Sequence, residues 1–430
     1  MTVTADNPHK EVDTAAVEDA RHETALGILK LVVMVLLIAG LSIAFHHGGG
    51  ALVVAAVMAM IMFHEFGHFV TAKWAGMKVT DFFVGFGPVL WSIQRGETRY
   101  GVRALPAGGY VRVIGMNNLE EVAPEDESRT YRSKSYFQRV RFAVAGSVTH
   151  FLMAYVLIVV LLAGVGTVET TTSLASVVRY NADQSYSPAY AVGMRKGDKI
   201  VALNGAPVKD FDQVSRFIHA AAGRAIDITV NRGGRPVNFT VTPQDARTPA
   251  EVAAGVPAQG HIGIEAGEAT VRKPLLSALW HGGSELKTVT VESSKALVGL
   301  FSKSNVKNYG KQFTETGPAD PKKDGNRLLS PVGLFQVANT AAKQGAGSWL
   351  FLLVAINVFV GIFNMLPLPP FDGGHVAVAT YEEIVSRIKG RRHMLDMNKM
   401  LPVAYAVFVA LALVSLSAIW LDIFHPLHFG

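Results

Sequence analysis

Apolar runs about as long as a bilayer is thick dominate this chain and restrict what it can fold into. Five stand out, at residues 26–45, 51–75, 142–165, 349–368 and 401–423. Each supplies roughly the 20 residues a helix needs to cross about 30 Å of hydrocarbon. Half of the 430 residues are hydrophobic and 17% are charged, against about a quarter charged in soluble domains. The expected class is a polytopic α-helical membrane protein with about five spans and one sizeable soluble insertion. The net charge of +6 is modest. The basic residues fall near the ends of apolar runs, where membrane orientation accounts for them and nucleic-acid binding is not expected. Cysteine is absent, so any metal site must be built from His, Asp and Glu.

The loops set an orientation. Residues 76–140 carry a string of basic residues from Lys78 to Arg139, and residues 373–400 carry Arg387, Lys389, Arg391, Arg392 and Lys399. The positive-inside rule places both in the cytoplasm. Five alternating spans then put the N-terminus inside and the long stretch 166–348 outside. The expected division starts with a cytoplasmic polar segment at 1–25 and an additional span at 26–46. A span at 51–75, a basic cytoplasmic region at 76–140 and a span at 142–165 follow. A small α+β domain occupies 168–243, and a linker with amphipathic helices occupies 244–348. A span at 349–372 ends in a Pro-rich run, and a cytoplasmic loop at 373–400 leads to a last span at 401–423. The first 25 residues are too polar and acidic for a signal peptide. In 168–243, short β-type runs alternate with Gly, Pro and Asn-Gly turns. In 274–301, Leu275, Leu279, Leu286 and Leu297 alternate with charges, which predicts an amphipathic helix at the membrane surface rather than a further span.

The second run contains His64-Glu65-Phe66-Gly67-His68. Two His at i and i+4 share one helix face. Neutral imidazoles there can fill two positions of a tetrahedral Zn²⁺, with the neighbouring Glu65 as general base. Such a run recurs by chance in soluble helices. Inside an apolar span, ionisable groups are costly and mark function. From Ala51 to His64 is about 20 Å of helix at about 1.5 Å per residue, so the metal would lie within the membrane, nearer the cytoplasm.

A third ligand must reach that depth. Asp372 follows Asn364 and a run that holds Pro367, Pro369 and Pro370. Prolines break a helix, and broken backbone at membrane depth is tolerated where it lines a polar cavity. The second and fourth spans run parallel in the expected topology, so their cytoplasmic ends share a leaflet. Two His and one carboxylate leave a fourth position for water, the mark of a catalytic site. His375 is a rival ligand, for which a helix-start or surface role is the simpler reading. Asn364 is a candidate to bond a substrate carbonyl or oxyanion, or to cap the broken helix. The pattern alone leaves zinc open against other ions that accept two His and a carboxylate.

HEFGH in a span, followed hundreds of residues later by N-x-x-P-x-P-x-x-D-G, resembles the site-2 protease family. The run 82–116 resembles the cytoplasmic-side β-hairpin region of its bacterial members, which presents edge strand to substrate. The run SPAYAVGMRKGDKIVALNGAPV looks like the core of a PDZ domain, so the resemblance makes 168–243 a PDZ domain. It covers well over half the chain. It implies an intramembrane zinc metalloendopeptidase with Zn²⁺ on His64, His68 and Asp372. Its substrates would be transmembrane segments of single-pass proteins, such as anti-sigma factors, pre-cleaved by another protease. The implied setting is the cell inner membrane. Gly85, Gly87 and Gly109 in the hairpin run are candidate substrate-binding positions, or simply turns.

There are departures from the family pattern. The span at 26–46 has no counterpart in the commonest four-span members. Where the family often has Gly-Pro-x-x-Asn in the third span, this chain has Gly146-Ser147-Val148-Thr149-His150. His150 either tunes the metal site or makes a satisfied polar contact between helices. For the single PDZ domain, peptide binding and a steric filter against intact ectodomains are both open. Two other classes compete. A catalytically silent PDZ-containing scaffold would be expected to lose one of His64, Glu65, His68 or Asp372, and this chain retains all four. A metal transporter would place ligands on both sides of the membrane centre, whereas here they gather near one leaflet.

Overall fold

The computed structural model describes residues 48–117, 120–181, 184–313, 328–395 and 400–425. The segments expected at 1–25 and 26–46 lie outside the described residues. The chain divides into two units, Met1–Leu161 with Leu275–Gly430, and Leu162–Pro274.

The first unit is helical. Among the described residues, four helices are long and apolar enough to cross a membrane: Leu52–Trp74, Tyr136–Val165, Ala346–Phe363 and Leu401–Phe424. Helix α1 (Gly48–Trp74) leads into a hairpin of β1 (Val79–Arg95) and β2 (Thr98–Val113). Its two-residue turn places Gly96 at φ +60°, a conformation that favours glycine. The register Phe82↔Val111, Phe83↔Tyr110 and Val84↔Gly109 is interrupted by bulges. A buried cluster of Ala72, Met77, Val79, Val113, Tyr131 and Phe142 locks the end of α1 and the open end of the hairpin to the start of α2 (Tyr136–Val160). A capping box between Ser135 and Gln138 starts α2, satisfying amides the first turn leaves open.

The second unit carries a six-stranded sheet. Strands β3 (Thr167–Val177), β4 (Lys199–Leu203), β5 (Ile226–Arg232), β6 (Arg235–Val241) and β7 (Ile264–Val271) lie in the order β7-β3-β4-β5-β6, and the two-residue strand Ala206–Pro207 pairs with β4. All these pairings are antiparallel. Helix α3 (Phe211–His219) covers the sheet through Val214 and Ile218, which pack with Leu174, Ile200, Ile228 and Val230. Asp210 caps that helix at the amide of Gln213. The expected domain ended at 243. The sheet is completed by β7, so the folded unit extends into what was read as linker. Strand β7 is a separate run some twenty residues downstream of β6, and local alternation does not tie it to this sheet.

The remaining helices return to the first unit. Helix α4 (Leu275–Leu300) is unbroken and packs against α2 and against α6 (Ala346–Phe363). Gly282 lies against Tyr155 and Val159, and the Tyr155 hydroxyl donates to the Leu279 carbonyl at 2.9 Å. Leu276, Trp280 and Val298 stay exposed. Helix α5 (Pro331–Gln344) packs on α1 and on α8 (Leu401–Phe424), whose buried Asp422 accepts from the Ser330 amide at 2.8 Å. Two expectations are revised at the Pro-rich run. The span predicted at 349–372 ends as helix at Phe363, and the loop predicted at 373–400 holds helix α7 (Asp372–Lys389). Helix α7 ends where Gly390 turns left-handed at φ +62°, the ordinary glycine stop.

Candidate metal centre

Three elements converge on one point. In the penultimate turns of α1, His64 and His68 project from one face. The break after α6 delivers Asp372 to the same place. Asn364 is the C-cap that follows α6, and its backbone carbonyl accepts from the Gly373 amide at 2.8 Å. The Gly374 amide bonds the Phe371 carbonyl at 2.9 Å. A Cβ on Gly373 would meet the Met365 and Leu366 carbonyl oxygens at 2.3 and 2.4 Å. The Asp-Gly-Gly run is therefore what lets the chain fold back on itself and begin α7 with its carboxylate turned to the histidines.

The donor atoms form a triangle. Nε2 of His64 and Nε2 of His68 lie 3.2 Å apart, and Asp372 Oδ2 stands 3.4 Å from the first and 3.3 Å from the second. Two atoms each about 2.0–2.1 Å from a tetrahedral zinc are separated by about 3.3–3.4 Å. The three edges match that spacing. Asp372 Oδ2 is buried and makes no well-formed hydrogen bond, as a donor atom kept for a cation should. His64, His68 and Asp372 are the cluster among the described residues that can hold a metal ion, and their chemistry suits zinc. His375, the rival ligand, lies one turn along α7, beside the Tyr131 ring and outside this triangle.

Each histidine is oriented from α2. Nδ1 of His68 bonds the Phe142 carbonyl at 2.8 Å. A carbonyl only accepts, so Nδ1 carries the proton and Nε2 keeps its lone pair for the metal. Nδ1 of His64 faces the Gly146 carbonyl without a well-formed hydrogen bond. The His64 ring occupies the space a side chain at Gly146 would take: a Cβ there would lie 2.2 Å from its Cε1. Gly67 brings α1 and α2 together, since its Cβ would meet the Ala145 carbonyl oxygen and Thr149 Cγ2 at 2.8 Å. His150, one turn beyond Gly146, is buried with its ring 5.1 Å from that of His64.

Glu65 sits between the histidines in sequence and turns toward the hairpin. Its carboxylate reaches the Val111 amide of β2, and a Cβ on Gly109 would lie 3.0 Å from its Cγ. Gly85 and Gly87 fall elsewhere on the hairpin. Both have positive φ, at +81° and +82°, and both pack against Leu105. Sequence reasoning named Gly109 beside them without distinguishing its place at Glu65. It named Gly146 only as the start of the run that departs from the family pattern, not as the space for His64, and it missed Phe142, which has no local signature.

Apolar helices that enclose two histidines and a carboxylate, with a further carboxylate alongside, define a membrane metalloprotease. Residues 52–411 match the model of peptidase family M50, and the chain belongs to that family, the site-2 proteases. The zinc metalloprotease Rip1 of Mycobacterium tuberculosis H37Rv is 30% identical over 405 residues, covering 88% of this chain and 98% of its own. Rip1 of Mycolicibacterium smegmatis is 31% identical over 416 residues, with the same coverage. This chain is accordingly a membrane protein and a metalloprotease.

Proposed function

We propose that this chain is an intramembrane zinc metalloendopeptidase acting in regulated intramembrane proteolysis. It hydrolyses peptide bonds within transmembrane segments of single-pass proteins, anti-sigma factors or similar signalling substrates. The observation that carries the reading is the convergence of His64, His68 and Asp372 on one point, with Glu65 beside it.

The geometry supports a division of labour. His64, His68 and Asp372 hold the metal. A bound zinc supplies a Lewis acid that lowers the pKa of water to about 7. Glu65 takes the proton from the attacking water and returns it to the departing amine nitrogen. A transmembrane helix satisfies its own backbone, so it must unwind before attack. An unwound segment that pairs with the hairpin as an added strand finds bonding partners again. Gly109, whose missing side chain lets the hairpin approach Glu65, then sets the strand beside that carboxylate, and Gly85 and Gly87 shape the strand. Asn364, which follows the last residue of α6, would bond the substrate carbonyl. In this reading the inner membrane holds the chain with the hairpin and α7 on the cytoplasmic side. Residues 168–243, within the Leu162–Pro274 unit, are one extracytoplasmic PDZ domain, and the substrate has already lost its ectodomain to another protease. A silent scaffold is the poorer reading, because it gives no reason for the four residues to keep this arrangement.

The test compares membrane-fragment proteomes of cells carrying the wild-type chain or Glu65→Gln. A single-pass protein that accumulates uncut in the variant supports the reading. Identical fragment profiles in the two strains contradict it.

A further inference from the structure

The two metal-binding histidines are supported unequally. His68 is oriented by a hydrogen bond to the Phe142 carbonyl, whereas Nδ1 of His64 makes no well-formed one. Something else must fix the His64 ring. On one side it is wedged against the backbone of Gly146, and the neighbouring ring is that of His150, 5.1 Å away and tilted by 46°.

His150 is itself held. Its Nδ1 lies 2.9 Å from Oδ1 of Asn357, on α6. Nδ2 of Asn357 donates to the Leu353 carbonyl at 2.9 Å, which fixes the amide with its oxygen toward His150. An oxygen only accepts, so Nδ1 of His150 carries the proton. Both residues are fully buried, at 2% and 0% exposure. Gly361, one turn beyond Asn357, lies 3.2 Å from the His150 Cβ at its own Cβ position, so α6 approaches α2 closely here. Two polar side chains in the middle of apolar helices are costly even when they bond each other, and such groups mark function.

We propose that His150 and Asn357 act as a positioning pair for His64, supplementing its poorly formed contact with the Gly146 carbonyl by a clamped ring and so aiming its Nε2 at the metal. This rests on the reading of His64, His68 and Asp372 as ligands. Neither residue of the pair touches the metal. Asn357 acts through His150, and His150 acts through His64.

The experiment uses the full-length chain in detergent, stripped of metal, with zinc alone as ligand and its affinity read by competition with a chelator. Cobalt substitution adds an absorption spectrum that reports ligand geometry. His150→Phe keeps a ring but loses the bond to Asn357. Asn357→Leu removes the acceptor without touching His64. Each is expected to weaken zinc by about 10- to 100-fold, the usual loss for an outer partner of a metal ligand, and to alter the cobalt spectrum. The double variant should lose no more than the weaker single variant, because the pair acts as a unit. Asn357→Thr, which keeps an acceptor and can bond back to the Leu353 carbonyl, should recover most of the affinity. His64→Ala serves as reference and should abolish specific binding. If His64→Ala still binds zinc as the wild type does, the ligand reading fails. If His64→Ala loses zinc while Asn357→Leu and His150→Phe keep wild-type affinity and spectrum, the positioning pair alone is overturned. Additive losses in the double variant overturn it as well.

Discussion

The carbonyl of Phe142 accepts a hydrogen bond from Nδ1 of His68 at 2.8 Å. Phe142 belongs to a stripe on α2 that touches every helix of the centre. Arg139 pairs with Glu382 of α7, Phe142 holds His68, Gly146 makes room for His64, and His150 bonds Asn357 of α6. These positions recur about one turn apart, so a single rigid helix sets the register of His64, His68 and Asp372, the three candidate ligands.

Gly146→Ala tests the closest of these contacts. Its Cβ would lie 2.2 Å from a ring atom of His64, and a ring wedged between helices cannot yield. Zinc affinity is expected to fall on the order of 10- to 100-fold while circular dichroism keeps the wild-type helix signal. Gly283→Ala on α4, where a Cβ meets nothing within 4 Å, is the matched control. Undiminished zinc affinity in Gly146→Ala would show that the ring has room to move.

Gly109→Val addresses the hairpin. The new side chain would crowd Cγ of Glu65 at 3.0 Å and the Phe83 carbonyl oxygen at 3.2 Å. Turnover is expected to drop roughly 10- to 100-fold, a partial loss of the about 10²–10⁴ that a general base contributes. Zinc affinity should stay unchanged, because no ligand is displaced. Steady-state cleavage and chelator competition on one preparation separate the two effects.

The ion pair of Arg139 and Glu382 is buried on both sides, and Glu382 also accepts from the Leu395 amide at 2.7 Å. Arg139→Met leaves that carboxylate uncompensated. Thermal unfolding should show a loss of about 3–5 kcal/mol. The double variant Arg139→Met with Glu382→Met should regain much of it. An additive double variant would contradict this.

In the second unit, burial alone would raise the Asp198 carboxyl, but the Arg232 guanidinium, at 2.7 Å from both carboxylate oxygens, holds it below the usual range. A carboxyl lowered on folding adds stability that is complete above its unfolded value of about 3.9. That stability is lost as pH falls through the lower folded value. Protection of the β5 amides in the full-length chain, taken relative to their intrinsic exchange rate at each pH, should therefore hold steady above about pH 4 and fall below it. Asp198→Asn should remove the acid-dependent part and lower protection above pH 4.

Local order explains what was legible in the sequence. His64 and His68 are four residues apart on one helix, so their shared face follows from helical period alone. Asp372 was legible because three prolines and two glycines announce a broken helix. Helix α7 was missed, although an acidic residue in its first turn and Gly390 after its last are ordinary start and stop signals. Its charges made it read as loop. Strand β7, the place of Gly109 at Glu65 and the pairing of Arg139 with Glu382 depend on contacts between distant segments. No periodicity along the chain encodes those. His150 stood out only as a departure from the pattern it resembles, and its bond to Asn357 needed the packed helices to be seen.

The most direct measurement pairs zinc content with cleavage for purified wild-type chain, Glu65→Gln and Asp372→Ala, reconstituted in vesicles with a single-pass substrate. Glu65→Gln is expected to hold one zinc per chain and cleave at background rate, and Asp372→Ala to lose zinc and activity together. Wild-type turnover by Glu65→Gln, or wild-type zinc affinity in Asp372→Ala, would contradict a zinc centre built from His64, His68 and Asp372 with Glu65 as its base.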